Sequence, residues 1–243
     1  MIDVHAHPGT PQERQIRERL GIATLLCGTD PASAADVLAC AVGSAVFTPC
    51  CALHPWKAAD FPPEAMLPFL EMCPVVGETG LDSVWCDTPM TAQTEVFLWH
   101  LDYAQRAGKP VVLHTKGRER EAAQILRRYS MPKVVHWYSC EEAPGDYLEQ
   151  GCYFTIGPDA ETNPTVRRVA ALAPLDRLLT ETDGLNAVTW ALGRNVEPEE
   201  LPAVLRSELC VIAGEKKLPV ETVARAVERN YHHLLFPAHR QAK

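Results

Sequence analysis

The chain opens on "MIDVHAHPGT", residues 1–10, where two histidines, His5 and His7, stand one residue apart at the end of a short apolar run. Successive side chains of a strand point to opposite faces, so His5 and His7 leave the same face and can converge on one point. Alone, an H-x-H pair is a weak signal, because two polar residues on a half-exposed edge strand produce it as well. The question is settled by whether comparable residues recur at the same place in later strands.

Similar apolar runs follow along the whole chain: "GIATLLC" (21–27), "SAVFTPCCAL" (44–53), "CPVVGE" (73–78), "KPVVLH" (109–114), "PKVVHW" (132–137), "GCYFTI" (151–156) and "DRLLTETD" (176–183). They are continuous rather than alternating, as strands covered on both faces should be. Helical segments separate them. In "TAQTEVFLWHLDYAQRAG" (91–108) the residues Phe97, Leu98, Leu101 and Ala104 form one apolar stripe, and Gly108 stands where a helix stops. Asn163 followed by Pro164 reads as an N-cap and first helical residue. "PEELPAVLRSELCVIAG" (198–214) and "PVETVARAVERNYHHLLF" (219–236) read as two closing helices. Eight strands alternating with helices, with no Gly- or Ser-rich linker, predict an α/β fold: one (β/α)8 TIM-like barrel domain over residues 1–243.

In such barrels the chemistry sits at the C-terminal ends of the strands. The third run ends at His54, the fourth at Glu78, the fifth at His114, the sixth near His136 and the eighth at Asp183, while the first supplies His5 and His7. Satisfied core histidines explain one or two such residues, not the same position repeated on so many strands. Imidazoles and carboxylates together suit Zn²⁺ foremost and Mn²⁺ next, whereas Mg²⁺ prefers oxygen ligands. The candidate metal ligands are His5, His7, Glu78, His114, His136 and Asp183. Six ligands exceed what one tetrahedral ion takes, so two divalent ions about 3.5–4 Å apart and bridged by Glu78 fit better. Such a pair lowers the pKa of a shared water from roughly 15.7 to about 7, and Asp183, at the end of the eighth strand, is placed to take its proton.

Composition narrows the function classes. With 47% hydrophobic residues and no long apolar run, the sequence predicts a globular protein without a membrane span. A strand beginning almost at Met1 leaves no room for a signal peptide, and nine cysteines, an odd number without a C-x-x-C, read as reduced thiols. A cytoplasmic monomer is expected. The net charge of −8 argues against a broad electrostatic footprint on duplex nucleic acid.

The motifs "DVHAH", "ALHPW", "VVGETGLD", "KPVVLHT", "VVHWYS", "LLTETD" and "RNVEP", with Asn230 shortly before "LLF", resemble in order and spacing the TatD family of metal-dependent hydrolases within the amidohydrolase-like superfamily. The resemblance covers nearly the whole chain. It implies a TIM-like barrel with His5, His7, Glu78 and Asp183 around one ion and Glu78, His114 and His136 around a second. Zn²⁺, Mn²⁺ or Mg²⁺ would be ordinary metals for it. It also implies deoxyribonuclease or related phosphodiesterase activity, of a 3′-end exonuclease kind. The departures lie in the substrate wall: Trp137 and Tyr138 after His136, Val196 between Asn195 and Glu197, and Lys116 where the family usually has an arginine.

Candidate substrate contacts are His54 at the pocket rim, Lys116, Arg118, and Arg194 with Asn195, which together would form a local positive island; Trp137 offers a stacking surface for one base. Single-stranded DNA ends or small phosphodiesters are the expected substrates. The alternatives are an amide or ester hydrolase with the same metal pair and a non-catalytic metal-binding accessory protein. Cys86 and Cys140 read as small apolar residues, and His100, His232, His233 and His239 receive no role.

Overall fold

Three of the first-turn signals in the sequence are the same device, a capping side chain followed by proline. Thr10 Oγ1 accepts from Glu13 N (3.1 Å) before Pro11, Asp30 Oδ1 accepts from Ser33 N (2.8 Å) before Pro31, and Asn163 Oδ1 accepts from Thr165 N (2.9 Å) before Pro164. Each satisfies a backbone N–H that the helix itself leaves unpaired, and each proline sits where its missing N–H costs nothing. The computed structural model describes residues 1–142 and 144–236. His239 and the end of the predicted 1–243 domain lie outside them.

The chain runs β1 (Ile2–Ala6), α1 (Pro11–Arg19), β2 (Ala23–Gly28), α2 (Pro31–Ala41), β3 (Phe47–Cys51), α3 (Leu67–Met72), β4 (Val75–Asp82), α4 (Met90–Ala107), β5 (Val111–Lys116), α5 (Glu119–Leu126), β6 (Lys133–Val135), α6 (Gly145–Glu149), β7 (Tyr153–Ile156), α7 (Pro164–Leu172), β8 (Leu178–Thr180), α8 (Leu185–Leu192), α9 (Leu201–Lys216) and α10 (Val220–Leu235). All eight strands are parallel and pair in sequence order from β1 to β8. This is the (β/α)8 barrel that the alternation predicts. Val4, Leu25, Cys50, Val76, Val112, Val134 and Phe154, one from each of the first seven strands, are fully buried in one hydrophobic core.

Strand ends differ from the sequence reading in two directions. β4 continues four residues past Glu78, through "TGLD", and all eight of its residues are buried. Gly80 permits this: a Cβ there would lie 1.9 Å from the carbonyl oxygen of His114 on β5, an approach only glycine tolerates. β6 and β8 are shorter, three residues each, so His136 and Asp183 stand just beyond their strands.

Between β8 and β1 the barrel is closed largely by polar groups. Thr180 Oγ1 donates to Ile2 O (2.7 Å), Asp183 N to His5 O (2.9 Å), and Thr182 N and Oγ1 to the two oxygens of Asp3 (2.9 and 2.6 Å). Arg17, buried on α1, ties the seam together through Asp3 (2.6 Å), Glu13 (3.1 Å), Thr182 (2.9 Å) and Thr24 (3.2 Å). Removing one member of a buried charge pair leaves the other uncompensated, at a cost of about 3–5 kcal/mol. Asp3→Ala is therefore expected to lower unfolding free energy by about that amount. Urea denaturation measures it, and a loss within experimental error of zero would show that the seam is not held this way.

Candidate metal centre and active-site cavity

The strand ends of this barrel converge on one buried carboxylate. Glu78, 1% exposed, receives five imidazoles. Its Oε2 stands 3.4 Å from His5 Nε2, 3.6 Å from His7 Nε2 and 3.5 Å from His54 Nε2, and its Oε1 stands 2.7 Å from His114 Nδ1 and 3.5 Å from His136 Nε2. Burial alone would raise the pKa of Glu78, but the surrounding imidazoles, His54 and His136 foremost, hold it well below the usual carboxylate range.

Asp183 joins this group from the barrel seam. Its Oδ1 lies 3.3 Å from both His5 Nε2 and His7 Nε2. Its backbone is left-handed, φ 58°, a conformation that aspartate adopts more readily than most residues. His5 Nε2 and Asp183 Oδ1 are both buried, and neither makes a hydrogen bond among the described residues. A buried polar atom without a partner carries a desolvation cost, which a shared ligand removes.

The spacing is that of a candidate metal site. Donors bonded to one Zn²⁺-like ion at about 2.1 Å in a tetrahedron stand about 3.4 Å apart. The four distances linking His5 and His7 to Glu78 and Asp183 run from 3.3 to 3.6 Å. His5, His7 and Asp183 form one cluster of mutually close donor atoms, with Glu78 Oε2 at ligand spacing from both histidines, and this arrangement fits a divalent cation.

The remaining histidines are arranged differently. His5, Glu78 and His136 form one cluster with mutually close donor atoms, and His54, Glu78 and His114 form another. His114 and His136, which the resemblance groups around one ion, both face Glu78 Oε1 but fall in separate clusters. His114 is also bonded on its far side, Nε2 to Asp82 Oδ2 at 2.9 Å. Burial opposes a charge on this ring, but Glu78 and Asp82 outweigh it and raise the pKa to about 9. His114 can ligate a cation only by giving up a proton.

The nitrogens turned away from Glu78 are held as well. His136 Nδ1 bonds Glu181 Oε2 (2.9 Å), His7 Nδ1 bonds the carbonyl of Cys27 (3.2 Å), and His5 Nδ1 meets the thiol of the same Cys27 (3.2 Å). One residue of β2 thus orients both imidazoles of the opening motif. Partners of this kind fix the tautomer and aim of a metal-binding imidazole. Cys27, Asp82 and Glu181 received no role from the sequence, although "GETGLD" and "TETD" contain two of them.

The other sequence candidates divide. His54 is 6% exposed, well inside the site rather than at its rim. Its Nδ1 accepts from Trp56 N (3.2 Å), which leaves the hydrogen on Nε2, facing Glu78. Burial, with His114 and His7 adding to it, brings its pKa down to about 4 against the opposing pull of Glu78, so it is neutral at pH 7. Lys116 and Trp137 line the cavity, with Lys116 Nζ 2.8 Å from Ser139 Oγ. Arg194 and Asn195 are not brought there. Val196 is buried against Ile22, Leu201 and Leu205, which turns its neighbours outward, and Arg194 pairs with Glu200 at 2.9 Å on the surface. Arg118 similarly pairs with Glu121 at 3.6 Å. Cys86 packs against Asp82 O and Gln93, and His100 is bonded within the core to Val96 O and Leu53 N.

All of this opens into a cavity of about 800 Å³ at the C-terminal ends of the strands. A buried cluster of imidazoles and carboxylates at that end of a parallel barrel defines a metal-binding α/β barrel protein. The family model described as TatD related DNase matches residues 2–236, and the chain belongs to that family. It is similar to the Escherichia coli metal-dependent hydrolase YjjV, 28% identical over 255 residues, covering 96% of each chain. The crystal structure of that protein superimposes with a TM-score of 0.83, covering 96% of this chain and 97% of the other at 25% identity. A Mycobacterium tuberculosis metal-dependent hydrolase named TatD is 33% identical over 119 residues, 44% of this chain and 45% of that protein. The matched stretches span 45% to 61% of the length of the first such relatives.

Metal binding should release protons, and affinity should rise with pH toward about 9, since His114 is protonated below that value and competes with the cation. Calorimetry of Mn²⁺ and Zn²⁺ binding in buffers of different ionisation enthalpy measures the proton count; a count of zero would contradict the cluster. Cys27→Ala should weaken the affinity about tenfold or more, with Cys27→Ser closer to wild type, the loss typical when a partner of a ligating imidazole is removed.

Proposed function

We propose that this protein is a divalent-metal-dependent hydrolase of phosphodiester bonds that acts on the ends of single-stranded DNA or on small phosphodiesters. The observation that carries the reading is the set His5, His7, Glu78 and Asp183, spaced for a cation and holding two orphaned buried atoms, at the floor of a cavity that also contains Lys116. Names of the relatives point the same way, toward metal-dependent hydrolysis. Zn²⁺, Mn²⁺ or Mg²⁺ held by these residues, one ion or two, would lower the pKa of a bound water and polarise the bond under attack.

The side chains supply the rest. Glu78, kept ionised by its imidazole shell, holds negative charge at the centre of the site. Asp183 also stays ionised, because the nearby histidines, His5, His136 and His7, outweigh its burial, and it is placed to take the proton of the attacking water. His54 offers a neutral Nε2–H toward the same centre, a donor for an oxygen on which charge develops. Lys116 contributes a cation for a non-bridging phosphoryl oxygen. Against a net charge of −8, two cavity lysines, Lys116 and the Asp60-paired Lys57, suit a strand end better than a long duplex. The nine free cysteines fit a reducing compartment such as the cytoplasm.

The same donor set could attack a carbonyl carbon, so the test compares bonds. With saturating Mn²⁺, nucleotides should be released from single-stranded oligonucleotides faster than from duplex interiors. Asp183→Asn should lower kcat roughly 10²-fold or more while the fold persists by circular dichroism. Lys116→Ala should raise KM and leave metal content unchanged. Oligonucleotides left intact by an enzyme that hydrolyses amides or esters would replace this reading with a carbonyl hydrolase.

A further inference from the structure

Four of the five tryptophans, Trp56, Trp85, Trp137 and Trp190, line one cavity. Three of them form a chain of ring contacts that begins and ends on the site's own histidines. Ring centroids are 6.4 Å apart from His114 to Trp85, 6.2 Å from Trp85 to Trp190, 6.1 Å from Trp190 to Trp137 and 6.3 Å from Trp137 to His136, and 6.0 Å between His114 and His136 closes the belt. Every separation lies in the range of favourable aromatic contact. Trp85 is 51% exposed and Trp190 68%, a large apolar area left in water at the mouth of a cavity.

One side of the belt is rigidly set. Trp137 adopts a left-handed backbone, φ 36°, a conformation that is strained for a bulky residue. Its indole N–H donates to Asp159 Oδ1 (2.8 Å), and its ring lies 2.7 Å from where a Cβ at position 157 would stand, so Gly157 is required there. Strained backbone maintained by a dedicated acceptor and a glycine is the mark of a side chain held for a purpose beyond packing. Trp85 and Trp190, in contrast, donate no indole hydrogen bond among the described residues. Lys116 Nζ sits over the Trp85 ring, 4.6 Å from its centroid, so a cation and a flat apolar surface adjoin.

We infer that Trp85, Trp190 and Trp137 are a ring-binding subsite that receives one planar heteroaromatic ring, a nucleobase, carried on the phosphoryl group that Lys116 and the Glu78 centre engage. This deepens the phosphodiester reading and rests on it for the attached group. The belt supplies stacking surfaces, which are tolerant of base identity because every base has a π-face. The cavity of about 800 Å³ that these rings line has room beside the centre for a terminal unit, which agrees with action at strand ends.

The experiment uses full-length protein stripped of metal with EDTA, so that binding is read without turnover. Adenosine 5′-monophosphate should quench tryptophan fluorescence saturably, and ribose 5-phosphate, which has the phosphate but no base, should bind far more weakly. Trp190→Ala and Trp85→Ala should each weaken nucleotide binding roughly 5- to 100-fold, with Trp190→Phe retaining most of it and unchanged thermal unfolding showing that the variants fold. Equal binding of ribose 5-phosphate, or unaltered nucleotide affinity in both alanine variants, overturns the subsite. Metal-loaded enzyme separates the two readings. Dinucleotide cleavage with unchanged kcat/KM in the alanine variants removes the ring subsite and leaves the hydrolase. Nucleotide binding that depends on Trp85 and Trp190, in an enzyme that cleaves no phosphodiester, keeps the subsite and removes the phosphodiester reading.

Discussion

A buried carboxylate with five imidazoles around it is the constraint on which the rest of this structure depends. An ionised Glu78 that is 1% exposed would be prohibitively unfavourable without compensation. The compensation comes from five imidazoles on four strands, His5 and His7 of β1 and then one residue each on or just after β3, β5 and β6. A parallel barrel is suited to this because each strand contributes one end to the same opening. The imidazoles in turn are crowded with hydrogen-bond demand that Glu78 alone cannot meet, as the orphaned His5 Nε2 and Asp183 Oδ1 show. A divalent cation resolves both problems.

The fold spends polar groups where a purely structural barrel would use apolar ones. Asp3 and Arg17 fasten the β8–β1 seam, and the same seam delivers Asp183 to His5 through a backbone hydrogen bond of 2.9 Å. The contacts that close the barrel are thus also the ones that bring Asp183 to the cluster. Behind the histidines, Cys27, Asp82 and Glu181 fix the aim of four rings. Asp82 also accepts from Trp56 Nε1 (2.7 Å), which couples the aromatic lining to the ligand cluster through a single carboxylate.

Much of this was legible from sequence because the signals are local. Continuous apolar runs ending in ionisable residues gave the strands, their order and the converging set His5, His7, Glu78, His114, His136 and Asp183. Family membership and the barrel follow from the same motifs. What sequence could not show depends on contacts across the barrel. Cys27 lies 22 residues from His5, and nothing in "ATLLCG" distinguishes a thiol that orients an imidazole from one that merely packs. The depth of His54 follows from a short turn after β3 whose N–H it caps. Arg194 and Asn195 were misplaced because the burial of Val196, which turns them outward, is set by Ile22 far away in the chain. The aromatic belt draws on loops after β4 and β6 and on α8, and no spacing rule links Trp85, Trp137 and Trp190.

The central claim is that a cation belongs between the opening histidines and the two carboxylates. The most direct test is anomalous diffraction from crystals grown with saturating Mn²⁺, recorded above the manganese edge. The account predicts an anomalous peak at bonding distance, about 2.0–2.2 Å, from His5 Nε2, His7 Nε2, Glu78 Oε2 and Asp183 Oδ1. Density without any anomalous peak among these four side chains at full metal saturation would contradict it.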